Sequence, residues 1–157
     1  MSCDAAALAA TLWFAATSAV APPPQMPTAS APPPSVADEP LFAGIVQRAS
    51  KLKAETAAWE KAPLDTDFEH MSGAADFETA VAQLSDLDMQ GHVSLVQRGR
   101  TDDLKCILKG ISQDLPVKLK ALETAADPKA RHTAVEDMFY LLRDNVEVIT
   151  APPQPAA

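Results

Sequence analysis

Proline placement constrains this chain more than any other feature. Eight of its fourteen prolines fall between Pro22 and Pro40, and only Pro63, Pro116 and Pro128 interrupt the following stretch from Leu41 to Ile149. A pyrrolidine ring fixes φ and removes an N–H donor, so neither a helix nor a sheet ladder persists through the proline-dense part. Residues 22–40 therefore read as an extended, polyproline-like spacer of about 3.1 Å per residue. An SH3-type ligand would want basic residues beside its prolines, and the first 40 residues contain no Lys or Arg.

Ahead of the spacer, Ala5 to Ala21 is an unbroken run of small and apolar residues with Trp13 and Phe14 at its centre. About 17 residues is the lower limit for a spanning helix and slightly exceeds the usual apolar core of a signal peptide. Small residues gather at its end, so cleavage after Ala19 would satisfy a signal peptidase, whereas cleavage after Ala21 would place Pro22 just past the cut. Asp4 stands where a basic residue is expected. The expectation is that 1–21 forms an export signal or a weak membrane tether through 5–21. The remaining divisions are the spacer 22–40, a folded body 41–149 and a short Pro/Ala tail 150–157.

Thirty of the residues counted as hydrophobic are alanine; of the 44 larger ones, 35 lie between Leu41 and Ile149. That supplies one core and no second. The net charge of -8 disfavours general nucleic-acid binding, which needs a surplus of cations to displace counterions. Five scattered glycines provide no phosphate-cradling loop, and two cysteines provide neither a disulfide scaffold nor a four-cysteine zinc site.

Within the body, apolar residues recur at helical spacing in four segments. The first runs through Leu41, Ile45, Ala49, Leu52, Thr56 and Trp59, ending before Pro63. The second carries Phe77, Val81, Leu84, Leu87, Gly91 and Leu95, with Gly99 as a stop. The third carries Leu104, Ile107, Leu108, Ile111, Leu115, Leu119, Leu122 and Ala126 behind Thr101 as N-cap. Gly110 and Pro116 dispute its continuity, so two collinear or kinked pieces are possible. The fourth starts at Asp127-Pro128, a strong N-terminal signal, and carries Val135, Met138, Phe139, Leu142, Val146 and Ile149. No strand alternation is convincing. Short connections among the last three segments favour antiparallel neighbours, and the expected fold is all-α, an up-down four-helix bundle. Phe68 and Met71, in the longest connector, are expected to cap one end of the core.

The chemistry on offer is sparse. Asp88 with His92, and His132 with Glu136, lie four apart and share helix faces; Met89 precedes His92 by three. A metal site in a bundle is built from such pairs on facing helices, so His92, His132, Met89 and Glu136 form a weak candidate set, although the spacing is not that of di-iron bundles. Surface histidines with ion-pair neighbours are the simpler reading. Cys106 falls on the side of its helix opposite the apolar stripe. If Cys3 leaves with a cleaved signal, Cys106 becomes an odd cysteine in an exported protein, open to an intermolecular disulfide and a homodimer. Ser50-Lys51-Leu52-Lys53 matches S-x-x-K only inside an amphipathic helix, outside the enzyme context that gives the motif meaning. No buried polar constellation is visible, and the acids Asp76, Glu78, Asp86 and Asp88 read as one solvated face. Arg131 falls inward and wants Glu123 or Asp127 as a partner.

The expectation is a non-enzymatic, cofactor-free protein of the bacterial envelope, periplasmic or secreted, or membrane-anchored if the first segment is kept. It would act by binding another protein. The alternatives are a periplasmic carrier of a small ligand or metal, and a cytosolic immunity-like or regulatory protein.

Overall fold

The computed structural model describes residues 35–61, 65, 67–100 and 103–151. Residues 1–34 lie outside them, and with them the expected signal or anchor and most of the spacer. Four helices form the described body: α1 (Pro40–Trp59), α2 (Ala74–Gln97), α3 (Leu104–Glu123) and α4 (Pro128–Thr150), with a short 3₁₀ turn at Phe68–His70. No strand occurs among the described residues.

On α1, α2 and α4 an inward stripe advances by alternating steps of three and four residues. On α1 the buried residues are Phe42, Ile45, Ala49, Leu52, Thr56 and Trp59. On α2 the stripe is Phe77, Val81, Leu84, Asp88, Gly91 and Leu95, and on α4 it is Arg131, Val135, Met138, Leu142, Asn145 and Ile149. This spacing keeps one narrow face towards neighbouring helices and suits side-by-side packing. Neighbours pack in a ring, α1 on α2, α2 on α3, α3 on α4 and α4 on α1, which leaves α1/α3 and α2/α4 as the diagonals. Contacts fix the directions. Glu39, before α1, meets Arg98 at the end of α2, while Arg48 further along α1 meets Gln83 earlier in α2. Likewise Ser85 meets Ser112, and His92 meets Lys105. The expected up-down bundle is therefore the observed one.

Details differ from the sequence reading in instructive ways. Phe42, rather than Leu41, fills the first core position of α1 with no exposed surface. The core also reaches back to Val36, which is 3% exposed, inside the stretch read as spacer. Glu39 N–H donates to Val36 O, a turn that leads into Pro40 at the first helical position. The Thr101 cap lies outside the described residues. Gly99 stops α2 as expected, at φ +66°, a left-handed conformation that costs glycine nothing. Arg100 N–H donates to Leu95 O and Gly99 N–H to Val96 O, the paired bonds of a Schellman ending. Asp127 caps α4 by accepting from Ala130 N–H at 2.8 Å.

Helix α3 is one continuous helix through Gly110 and Pro116. Pro116 has no N–H to give to the carbonyl four residues back, which belongs to Ser112. That orphaned carbonyl accepts instead from the Ser85 hydroxyl of α2 at 2.8 Å. A donor 27 positions away thus replaces the bond that proline removes. Ser85→Ala strands a buried-side carbonyl and should lower stability by about 1–2 kcal/mol in urea unfolding. Thr79→Ala, whose hydroxyl returns to Ala75 O of its own helix at an exposed position, should change it by less than about 0.5 kcal/mol.

Candidate functional site

Two features stand out from an otherwise apolar packing, and the first lies at its centre. Asp88 and Asn145 are both fully buried, and Asn145 Nδ2 donates to Asp88 Oδ2 at 2.7 Å. The bond spans a diagonal, joining α2 to α4, two helices that do not otherwise pack on each other. The remaining oxygens, Asp88 Oδ1 and Asn145 Oδ1, are buried without a hydrogen-bond partner. Burial pushes the Asp88 carboxyl from 3.8 up to about 7, and the Asn145 hydrogen bond opposes part of that rise. This overturns two sequence expectations. Asp88 is no member of a solvated acidic face, and a buried polar pair does exist. The missed signal is positional: Asp88 and Asn145 occupy stripe positions that the apolar reading gave to Leu87 and Val146, both only partly buried.

The second feature is an open groove of about 690 Å³ between the start of α1 and the middle of α2. Pro40, Leu41, Gly44 and Leu87 give it an apolar floor, and Gln47, Arg48 and Lys51 give it a polar rim. Gly44 has open space where a side chain would stand. The groove begins where the chain enters α1, directly after the proline-rich stretch.

The sequence-derived metal set is spread along the bundle. His92 is half-buried late in α2, with Nδ1 2.6 Å from Lys105 O, so one ring nitrogen is already engaged. Met89 is half-buried one turn before it. His132 is exposed in the first turn of α4, with Glu136 half-buried a turn later. Asp88 and Asn145 set the levels of α2 and α4. His92 lies four residues beyond the first and His132 thirteen before the second, roughly 25 Å apart along the bundle at 1.5 Å per residue. The structure thus keeps the two pairs apart. Among the described residues no group of three His, Cys, Asp or Glu side chains could hold a metal ion.

Cys106 is half-buried on α3 and is disulfide-bonded. The chain has two cysteines, so within one molecule its only possible partner is Cys3, which lies outside the described residues. Arg131, 3% exposed at its side chain, turns to Asp67 at 2.7 Å and to Ala125 O at 3.4 Å. Asp67, in the connector, takes the place expected for Glu123 or Asp127 and meets α4 there. No described helix is long and apolar enough to cross a membrane.

No protein-family model matches the chain, and no curated protein or solved structure matches it either.

Proposed function

We propose that the protein is a non-enzymatic, protein-binding helical module of the bacterial envelope, exported or held at the membrane by its N-terminal apolar run. The groove at the start of α1 carries the reading. Its apolar floor and cationic rim suit a partner segment with an apolar face and flanking acids. The apolar run Ala5–Ala21 followed by a proline-rich spacer gives the bundle a stalk-like connection to that location. A disulfide-bonded Cys106 accords with an oxidising compartment and, where its partner is Cys3, with retention of the N-terminal run rather than its cleavage.

Two measurements test this. The first is the intact, unreduced mass of the native protein from periplasmic, membrane and cytosolic fractions. A soluble periplasmic species starting at Val20 supports export, and a full-length membrane species supports tethering. A full-length, cytosolic species sinks the envelope reading. Cleavage would also remove Cys3, so a mature species of doubled mass identifies Cys106 as an intermolecular link. The second places a photo-crosslinking residue at Gly44 and, as a control, at the exposed Lys129. A discrete adduct from Gly44 alone is expected, and the absence of any adduct from envelope-expressed protein counts against partner binding in the groove.

A further inference from the structure

A fully buried carboxylate without a cation is costly, because burial disfavours the charged form. The Asp88–Asn145 pair has two unpartnered oxygens and no donor assigned to either. A single proton on Asp88 removes the charge and gives the pair an O–H donor, while Asn145 Nδ2 continues to donate to Asp88 Oδ2.

We propose that Asp88 and Asn145 form a proton-operated latch across the α2/α4 diagonal. With the proton on Asp88, its O–H donates to Asn145 Oδ1 and closes a ring of two hydrogen bonds, and the core is tight; loss of that proton to solvent breaks the ring and loosens the bundle. One O–H bond is broken, and one proton passes to water per molecule opened.

Among the described residues no cation donates to either open oxygen of the pair. On α1, Arg48 donates to Gln83 at 2.6 Å. On α2, His92 one turn along is engaged with Lys105 O. On α3, Lys105 is buried and Lys109 half-buried; the Asp88 carboxyl is raised by burial, and the Asn145 hydrogen bond opposes the rise. On α4, Arg143 pairs with Asp144 and Glu147 near the surface.

The direction of the pH effect follows from the raised carboxyl. Between about pH 4 and about pH 7 the folded chain holds a proton that the unfolded chain has released, so raising pH favours unfolding. The contribution is complete below about pH 4 and gone above about pH 7. Through that window the unfolding constant should rise about tenfold per pH unit from this group.

The test compares urea unfolding of the full wild-type chain with Asp88→Asn from pH 5 to pH 8. An asparagine at 88 supplies the missing N–H permanently and carries no titrating proton. The wild type should lose ground steadily to Asp88→Asn up to about pH 7, beyond which the gap should stay constant. Stabilities that run parallel from pH 5 to pH 8 overturn the latch. Carbon-13 NMR of aspartate-labelled wild type tests it without any variant. One carboxyl titrating near neutral pH is expected, and an Asp set that titrates wholly in the ordinary acidic range overturns the proposal.

Discussion

Leu115→Asp should abolish the cooperative unfolding transition at neutral pH. Leu115 is fully buried in the centre of α3, one residue before Pro116. The substitution removes a large apolar side chain, worth about 2–5 kcal/mol with its cavity. It also places a carboxyl among apolar neighbours, where it must either shift its pKa or stay charged at a cost of several kcal/mol. A domain of this size has about 5–15 kcal/mol in total, so the sum consumes most of its stability. Far-UV circular dichroism should show a large loss of helix and no thermal transition. Val117→Asp, two residues away and 62% exposed, should melt within about 0.5 kcal/mol of the parent. If both variants melt like the parent, the inward face of α3 is wrongly assigned.

The contrast between Leu115 and Val117 also shows what was legible in the sequence. Helix existence followed from the apolar repeat, because burial needs one continuous face on each helix and large apolar side chains mark it. Helix ends followed from chemistry that acts locally, such as the Asp127-Pro128 start and the Gly99 stop. Both are decided within a few residues.

What was hidden depends on partners far along the chain. Asp88 and Asn145 hold stripe positions, but a polar residue is tolerated there only when its partner lies across the core. That partner is 57 positions distant. Reading the stripe through apolar letters alone shifted it to Leu87 and Val146, one residue off at each. Pro116 looked like a break for the same reason. Its lost bond is replaced by the Ser85 hydroxyl from α2, and nothing near Pro116 announces that. Arg131 was placed inward by angle, yet its acidic partner is Asp67, 64 positions upstream in the connector. The groove at Gly44 belongs to this group too, since it arises from the spacing of two helices rather than from any motif.

Phe77→Ala should cost about 3–5 kcal/mol and release the connector between α1 and α2 before the rest of the bundle unfolds. Phe77 is fully buried at the start of α2 and meets two other aromatic rings. Its ring centroid lies 4.7 Å from that of Trp59 at the end of α1 and 6.4 Å from that of Phe68 in the connector. Trp59 and Phe68 touch edge to face at 5.8 Å. Offset and edge-to-face pairs of this kind add about 0.5–1.5 kcal/mol each beyond the area they bury. Phe68 is the one fully packed side chain of the 3₁₀ turn, so the triangle of rings, with the Arg131–Asp67 contact, holds the connector down. Removing the Phe77 ring leaves Phe68 with a single aromatic neighbour and a cavity beneath it. Native-state hydrogen exchange should show 67–71 losing protection by a larger factor than the centres of α3 and α4. Trp59 emission should shift to the red as water reaches its ring. The double variant Phe68→Ala/Phe77→Ala should be less destabilised than the sum of the two single changes, because the rings share one contact. Strict additivity, with unchanged exchange in 67–71, would mean that the connector is held by Arg131 alone.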